Sequence, residues 1–223
     1  MTTAMDPRVR DLVSEAAEWR LLSLLFDCPE GAWREQVAAL AGEVADPELR
    51  SCARLAVEQA SPGRYHSTFG PGGPAPPREV TYCDALQFGY LMSELRTYYD
   101  AFGYQPHTKE APDHISVETG YVAFLRLKEA FALELGDTDH ASVTAEAAAR
   151  FCKDHLSRIA EPMCARLAES GLGYLAGAGQ ALFKRVGPVP QIAHAPAAGL
   201  RIWSGESTFS CGIGESVEEE ELR

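Results

Sequence analysis

Apolar side chains recur at three- and four-residue steps along most of this chain, and this is the period of an α-helix. One such stripe runs over residues 9–26. It follows Asp6-Pro7, a capping residue with a proline in the first turn, and it ends before Pro29. No segment shows the alternating pattern of a half-buried β-strand. The sequence therefore predicts an all-α fold.

The same period predicts the remaining helices. Asp46-Pro47 begins one helix, which Ser61-Pro62-Gly63 ends. Asp113 caps another helix, and Gly103 and Gly136 end helices. The predicted helices after the first cover, approximately, residues 33–40, 47–60, 79–103, 113–136, 139–170 and 172–186.

Two apolar patterns indicate which faces are buried. In the helix from Glu79, the stripe comprises Tyr82, Leu86, Tyr90, Leu95, Tyr98 and Phe102. The helix from Asp113 carries apolar residues on two faces, which predicts a central position. One of these faces comprises Val117, Tyr121, Phe124, Leu127, Phe131 and Leu135, and the other comprises Ile115, Val122 and Leu125.

Two stretches depart from the helical pattern. Residues 64–78 are rich in proline and glycine, so we predict no regular structure there. After Gly187 the composition changes to proline, glycine and polar residues, and the chain ends with an acidic run at 218–221. The expected organisation is a single-domain helical bundle over residues 1–186 with a non-helical tail over 187–223. Within the helix at 139–170, Pro162 is expected to produce a kink.

The charge balance limits the partners. Twenty Lys and Arg residues against thirty-two Asp and Glu residues give a net charge of −12. Because nucleic acids and anionic membranes bind through basic patches, we expect no nucleic-acid partner and no direct membrane insertion. The charge favours a cationic partner, although acidity that only maintains solubility explains it equally well. No apolar run reaches the ~18 residues of a membrane span, and residues 1–10 lack a signal-peptide pattern, which predicts a cytoplasmic protein.

The chain offers few residues for catalysis or metal binding. Its six cysteines form no Cys-x-x-Cys pair, so we interpret them as reduced and mostly buried. Cys152 and His155 lie three apart on a helix, but they make only half of a zinc site, and a core histidine is the favoured interpretation. No Gly-x-Ser-x-Gly or activated-cysteine pattern occurs. We therefore expect no enzyme activity, no metal and no cofactor.

The segment from Glu110 to Glu118, Glu-Ala-Pro-Asp-His-Ile-Ser-Val-Glu, is the most unusual local feature. His114 and Glu118 are four residues apart, so both project from one helix face. By itself, the segment favours a capped helix with a surface ion pair. The functional alternative is a polar cluster beside the proline- and glycine-rich loop, able to hold a peptide and its cationic side chains.

Three motifs together resemble the TorD/DmsD/NarJ superfamily of redox-enzyme maturation chaperones. The first is Tyr65-x-x-x-Phe69-Gly70 followed by Pro76-Pro77-x-Glu79-x-x-Tyr82. The second is the Glu110–Glu118 segment, which resembles the most diagnostic motif of the superfamily. The third is Phe151-x-x-x-His155-Leu156 with Pro162, although Ile159 stands where tryptophan is frequent and Thr119 where an apolar residue is usual. The resemblance covers residues 9–186.

The resemblance implies a TorD-like helical bundle that binds the catalytic subunit of a molybdenum oxidoreductase of the dimethyl-sulfoxide-reductase type. It implies that the chain holds this subunit, often through its twin-arginine signal peptide, until cofactor insertion is complete. The long second motif favours the nitrate-reductase-like branch. Whether the chain is a monomer or a helix-swapped dimer stays open. Carried over by position, the cargo-binding residues are Phe69, Gly70, Pro77, Glu79, Tyr82, Pro112, Asp113, His114 and Glu118.

Other classes of protein remain as alternatives. A helical small-molecule sensor would require a closed apolar pocket, and it is usually joined to a DNA-reading module for which no basic helix is visible. A metal-dependent hydrolase would require a fuller ligand set. An accessory subunit bound permanently to the reductase is the closest alternative, and stoichiometry in the mature enzyme would distinguish it.

Overall fold

Proline in the first turn and a short polar cap begin several helices of the computed structural model, which describes residues 5–83 and 88–189. Helix α1 (Pro7–Leu25) follows Asp6, whose carboxylate accepts a hydrogen bond from the Arg8 amide at 2.8 Å. Asp46 caps α3 (Pro47–Gln59) in the same way. Between them lies α2 (Trp33–Glu43). The predicted all-α fold is confirmed for the described residues, in which the only β-type pairing is one isolated bridge.

The remaining elements follow α3 in chain order, beginning with a short fourth helix. They are α4 (Pro62–Phe69), a 3-10 helix (Glu79–Tyr82), α5 (Phe88–Phe102), α6 (Ile115–Glu134), α7 (Thr138–Phe151), a π-helix (Cys152–Leu156), α8 (Ser157–Ala168) and α9 (Gly173–Val186).

Helix α6 is central, as its two apolar faces predict, with α1 and α7 packed against it. Tyr121 is fully buried in α6, and its ring contacts those of Tyr99 and Phe151 at centroid distances of 4.9 and 4.8 Å. Gly120 permits the close approach of α1, because a Cβ atom there would lie 3.0 Å from Ser23 Oγ. The core therefore forms around the first half of α6.

The prediction of irregular structure throughout residues 64–78 is wrong for its beginning. Ser61-Pro62 starts a helix instead of only ending one, because the Ser61 hydroxyl accepts from the Arg64 amide and Pro62 occupies the first turn. Helix α4 buries Tyr65 and Phe69 on one side.

The prediction of one long helix from Glu79 to Gly103 is also wrong, since a 3-10 turn precedes α5. Leu86 lies outside the described residues. Tyr90, assigned to the buried stripe, is 70% exposed. The buried stripe of α5 consists of Leu91, Leu95 and Tyr99, which recur every four residues.

The last turns of α6 also differ from the expectation. Leu127, Phe131 and Leu135 are exposed, because Val9 and Leu12 of α1 pack against Ala130 on another side of the helix. Gly136 then ends α6 with a φ of 74°, as predicted.

The helix predicted over residues 139–170 is divided by the π-helix Cys152–Leu156, and Pro162 lies inside α8. Helix α9 ends at Val186, and Gly187 adopts a φ of 77°. Residues 190–223 lie outside the described residues, so the tail stays a prediction. Within the two described ranges, no helix has both the length and the apolar character needed to cross a membrane.

Candidate functional site

Two segments distant in sequence meet at the start of α6. The Glu79 amide donates to the Asp113 carbonyl oxygen at 2.8 Å, and the Ile115 amide donates to the Pro77 carbonyl oxygen at 2.9 Å. This is the isolated antiparallel bridge, centred on Arg78 and His114. The proline-rich segment is thereby fixed against the Glu110–Glu118 motif.

Asp113 is fully buried and holds this junction from inside. Its Oδ1 accepts from Arg78 Nε at 2.8 Å and from Arg78 Nη2 at 2.7 Å, and its Oδ2 accepts from the Val80 amide at 3.3 Å. The expected capping role of Asp113 is wrong, because the residue that caps α6 is His114. Asp113 therefore forms its ion pair within the chain, with Arg78 of the adjacent proline-rich segment.

His114 caps α6 through its ring. The Nδ1 atom accepts from the Ser116 amide at 3.2 Å and from the Ser116 hydroxyl at 2.7 Å, which assigns the proton to Nε2. Nε2 then donates to the Tyr65 hydroxyl at 3.1 Å, and that hydroxyl donates to Glu110 Oε1 at 3.0 Å. Burial, followed by the nearby Arg78 charge, lowers the pKa of His114 to about 3. His114 is therefore neutral at physiological pH.

Glu79 connects the junction to α8 and the π-helix. Its buried carboxylate accepts from His155 Nδ1 at 3.0 Å and from Arg158 Nη1 at 2.9 Å. Carboxylates lose much solvation energy on burial, and the donors on His155 and Arg158 replace the water that the Glu79 carboxylate loses in the core. His155 is a core histidine, the interpretation that the sequence favoured.

Glu118 is fully buried beside Glu79. Among the described residues, no donor is assigned to either oxygen of its carboxyl group, while the carboxylates of Glu79 and Asp113 lie close enough to repel it. Burial, followed by repulsion from Glu79, raises the pKa of Glu118 well above its ordinary value. The fold therefore favours the protonated form of Glu118, whose O–H group can donate to Glu79. The predicted surface ion pair between His114 and Glu118 is wrong, since both side chains are buried.

We call this set the buried polar network. It joins the proline-rich segment, the start of α6, the π-helix and α8. Its members are Arg78, Glu79, Asp113, His114, Glu118, His155 and Arg158. The two arginines could not be identified from the sequence, because an arginine in a loop or on a helix carries no signal of its buried partner.

The residues carried over from the resemblance separate by exposure. The side chains of Phe69, Glu79, Asp113, His114 and Glu118 are buried. The others are partly exposed and form what we call the motif rim: Gly70, Pro77, Tyr82 and Pro112.

Hydrogen bonds from tyrosine hydroxyls to backbone carbonyl oxygens hold the rim in place. The Tyr82 hydroxyl donates to the Pro76 carbonyl oxygen at 2.8 Å, and the Tyr99 hydroxyl donates to the Pro112 carbonyl oxygen at 2.7 Å. Gly70 must lack a side chain, because a Cβ atom there would collide with the His66 carbonyl oxygen. The rim is therefore a preorganised surface of aromatic, proline and glycine groups.

A groove lies between α5 and α7. Phe88, the first residue of α5, lies under the Arg78 guanidinium at 5.9 Å from the ring centroid. The groove has a volume of about 600 Å³ and carries the exposed side chains of Tyr90 and Val143. Glu94 and Glu146 also line it, together with one cation, Arg150, which pairs with Asp154 at 3.4 Å. We call this surface the acidic groove.

The residues considered for metal binding do not come together. No group of three or more histidine, cysteine or acidic side chains in the described ranges has metal-binding geometry. Burial raises the pKa of the Cys152 thiol to about 12, so this cysteine is not a thiolate at neutral pH.

Over the described residues, fold and site together define a helical protein in which Asp113, His114 and Glu118 of the motif lie in the core. The chain matches the family described as nitrate reductase delta subunit over residues 33–165, more than half of its length. It therefore belongs to that family, within the TorD/DmsD/NarJ superfamily of molybdoenzyme maturation chaperones, whose members are chaperones and accessory subunits, not catalysts. No curated protein matches the chain.

Proposed function

We propose that this chain is a cytoplasmic chaperone for the catalytic subunit of a molybdopterin oxidoreductase of the dimethyl-sulfoxide-reductase type. It binds a basic and apolar N-terminal segment of that subunit, such as a twin-arginine signal peptide. It holds the subunit until the cofactor has been inserted, and then releases it for assembly or export. Family membership supports the class of partner, and the surface chemistry described below supports the segment.

The observation that carries this proposal is the preorganised motif rim together with the acidic groove, which are linked through α5 by the hydrogen bond from Tyr99 to Pro112. The rim offers aromatic and proline surfaces whose backbone is already fixed, which reduces the entropy cost of binding. Three arginines lie near it: Arg78, Arg158 and Arg166, the last 5.6 Å from the Tyr82 ring centroid. The rim therefore suits the apolar part of the cargo segment and not its arginines.

The acidic groove suits the basic part of the cargo segment. Glu94 and Glu146 present carboxylates next to the apolar surfaces of Tyr98, Phe102 and Val143. A segment with an arginine pair followed by apolar residues can place its charges there and its apolar residues toward the rim. The net charge of −12 adds long-range attraction for such a segment.

The test is isothermal titration of a synthetic peptide that carries two arginines followed by an apolar stretch. We expect the double variant Glu94→Lys with Glu146→Lys to bind about tenfold more weakly at low salt, equal to ~1.4 kcal/mol. Tyr82→Ala should weaken binding with a smaller salt dependence, because it removes apolar contact area. Coexpression with a catalytic subunit of the proposed type should also yield a stable complex.

The matched control is Glu58→Lys with Glu134→Lys, which changes the net charge equally at two exposed positions elsewhere. It should retain nearly wild-type binding. Equal losses in both double variants would reduce the effect to net charge and contradict the assignment of the groove. No binding of the peptide by the wild-type chain would contradict the proposed segment.

A further inference from the structure

A second groove lies on another face of the bundle, between α1 and α6. Its volume is about 670 Å³, and α2 and the connection after α5 complete its walls. Most of its surface is apolar, with contributions from Val13, Ala17, Leu40, Ala123, Phe124 and Leu127.

The apolar surface continues beyond this groove along α6. Leu127, Phe131 and Leu135 are 49%, 67% and 67% exposed. They recur every four residues and therefore lie on one face of the helix. From Leu127 to Leu135 the face extends about 12 Å at the helical rise per residue. Contiguous exposed apolar surface of this kind is a feature of protein interaction sites.

The charges around this groove are mostly positive, in contrast to the chain as a whole. Arg10 and Arg20 line it from α1, ten residues and about 15 Å apart along the helix axis. Arg10 is 4.0 Å from Asp11 with both side chains largely exposed, and Arg20 donates to the Ser23 hydroxyl at 3.3 Å. Glu43 is the acidic residue in the lining. We call this surface, with Leu127, Phe131 and Leu135, the basic groove.

We propose that the basic groove binds an amphipathic helix of a partner protein that carries an apolar face flanked by carboxylates at both ends. A third helix laid along two antiparallel helices buries its apolar face in the furrow between them, as in other helix-in-groove complexes. The 15 Å separation of Arg10 and Arg20 corresponds to about ten residues of such a helix, nearly three turns. The exposed face continues past the cavity, which fits a helix better than a compact small molecule.

This partner differs in chemistry from the basic segment assigned to the acidic groove. An arginine-bearing segment would meet Arg10 and Arg20 here, and like charges at an interface disfavour binding. The proposal is therefore independent of the proposed function, and each can fail without the other.

The test uses a labelled synthetic helical peptide with leucines at positions 3, 7, 10 and 14 and glutamates at both ends. A second peptide has the same apolar face with lysines replacing the glutamates. Fluorescence anisotropy with the full chain should show the acidic peptide binding at least about tenfold more tightly at low salt. The variant Arg10→Glu with Arg20→Glu should reverse this preference. Leu127→Asp or Phe131→Asp should remove most binding of the acidic peptide.

Val143→Asp, at an exposed apolar position in the acidic groove, is the control and should leave this binding unchanged. Circular dichroism of each variant checks folding, and two independent substitutions are available at Leu127 and Phe131. Equal affinity for the two peptides, no binding of either, or unchanged binding by both aspartate variants would overturn the proposal.

Discussion

In the buried polar network the ionic groups find their partners inside the chain, whereas in the basic groove arginines and apolar side chains face solvent. Asp113 pairs with Arg78, and Glu79 pairs with His155 and Arg158. Across the molecule, Phe131 and Leu135 are mostly exposed. The buried ionic residues are paired within the fold, whereas the exposed residues of the basic groove are accessible to a partner. In this chain, the Glu110–Glu118 motif contributes Asp113, His114 and Glu118 to the buried polar network.

Glu79 provides the strongest test of this comparison. Glu79→Ala leaves His155 Nδ1 and Arg158 without their buried acceptor, and loss of one partner of a buried pair costs ~3–5 kcal/mol. Urea unfolding should show this loss in the free energy of unfolding. Glu146→Ala, at an exposed position, should change it by no more than about 0.5 kcal/mol. Similar stability of the two variants would mean that the network does not hold the fold.

Glu118 should make the folded protein less stable as pH rises. Its pKa is raised in the folded state, so the folded chain retains a proton that the unfolded chain loses above the ordinary glutamate pKa of 4.5. This contribution is complete below that value and declines as pH rises toward the folded pKa, with a slope of at most about 1.4 kcal/mol per pH unit. Glu118→Gln keeps a neutral donor beside Glu79. Its stability relative to the wild type should therefore be greater at pH 8 than at pH 5 in denaturant titrations, and an equal difference at both pH values would contradict a neutral Glu118.

His114 should act in the opposite direction. Its pKa falls to about 3 in the folded state from the ordinary histidine value of 6.5. The stability that it contributes is complete above pH 6.5 and is lost as pH falls toward 3, because the unfolded chain takes up a proton first. His114→Asn retains a capping side chain and removes this titration. The variant should lose less stability than the wild type between pH 6.5 and 4, and parallel stability curves would show that His114 titrates normally.

The basic groove should contribute least to stability. Because Leu127 and Phe131 are already largely exposed, Leu127→Asp and Phe131→Asp should change the free energy of unfolding by no more than about 0.5 kcal/mol. Urea unfolding of each variant beside the wild type measures this. A loss above ~2 kcal/mol would mean that these side chains belong to the core and not to a binding surface.

The sequence predicted the helices whose period and caps agree, such as α1, α3 and the first half of α6. It was wrong where a local signal had two meanings. Ser61-Pro62 was interpreted as a stop although the same pair is an N-terminal cap, and Tyr90 was placed inside because aromatic spacing alone does not define which face a neighbour covers. The exposed end of α6 depended on the position of α1, which periodicity does not encode.

For the candidate site, the sequence identified the motif residues but not their burial or their partners in the fold. The spacing of His114 and Glu118 placed them on one face, yet it could not show that this face is buried. The partners of Asp113 and Glu79 come from Arg78 and from Arg158 in the distant α8, and such long-range pairs leave no pattern along the chain. Both grooves depend on the packing of two helices and therefore required the structure.

The most direct test of the account is amide hydrogen exchange of the full chain with and without the arginine-bearing peptide, measured by mass spectrometry. Exchange slows where a bound peptide covers or rigidifies a segment. We expect added protection in residues 76–83 and in α5 and α7, with the basic groove of α1 and the end of α6 unchanged. Protection confined to α1 and α6, with none at the motif rim or the acidic groove, would contradict the account.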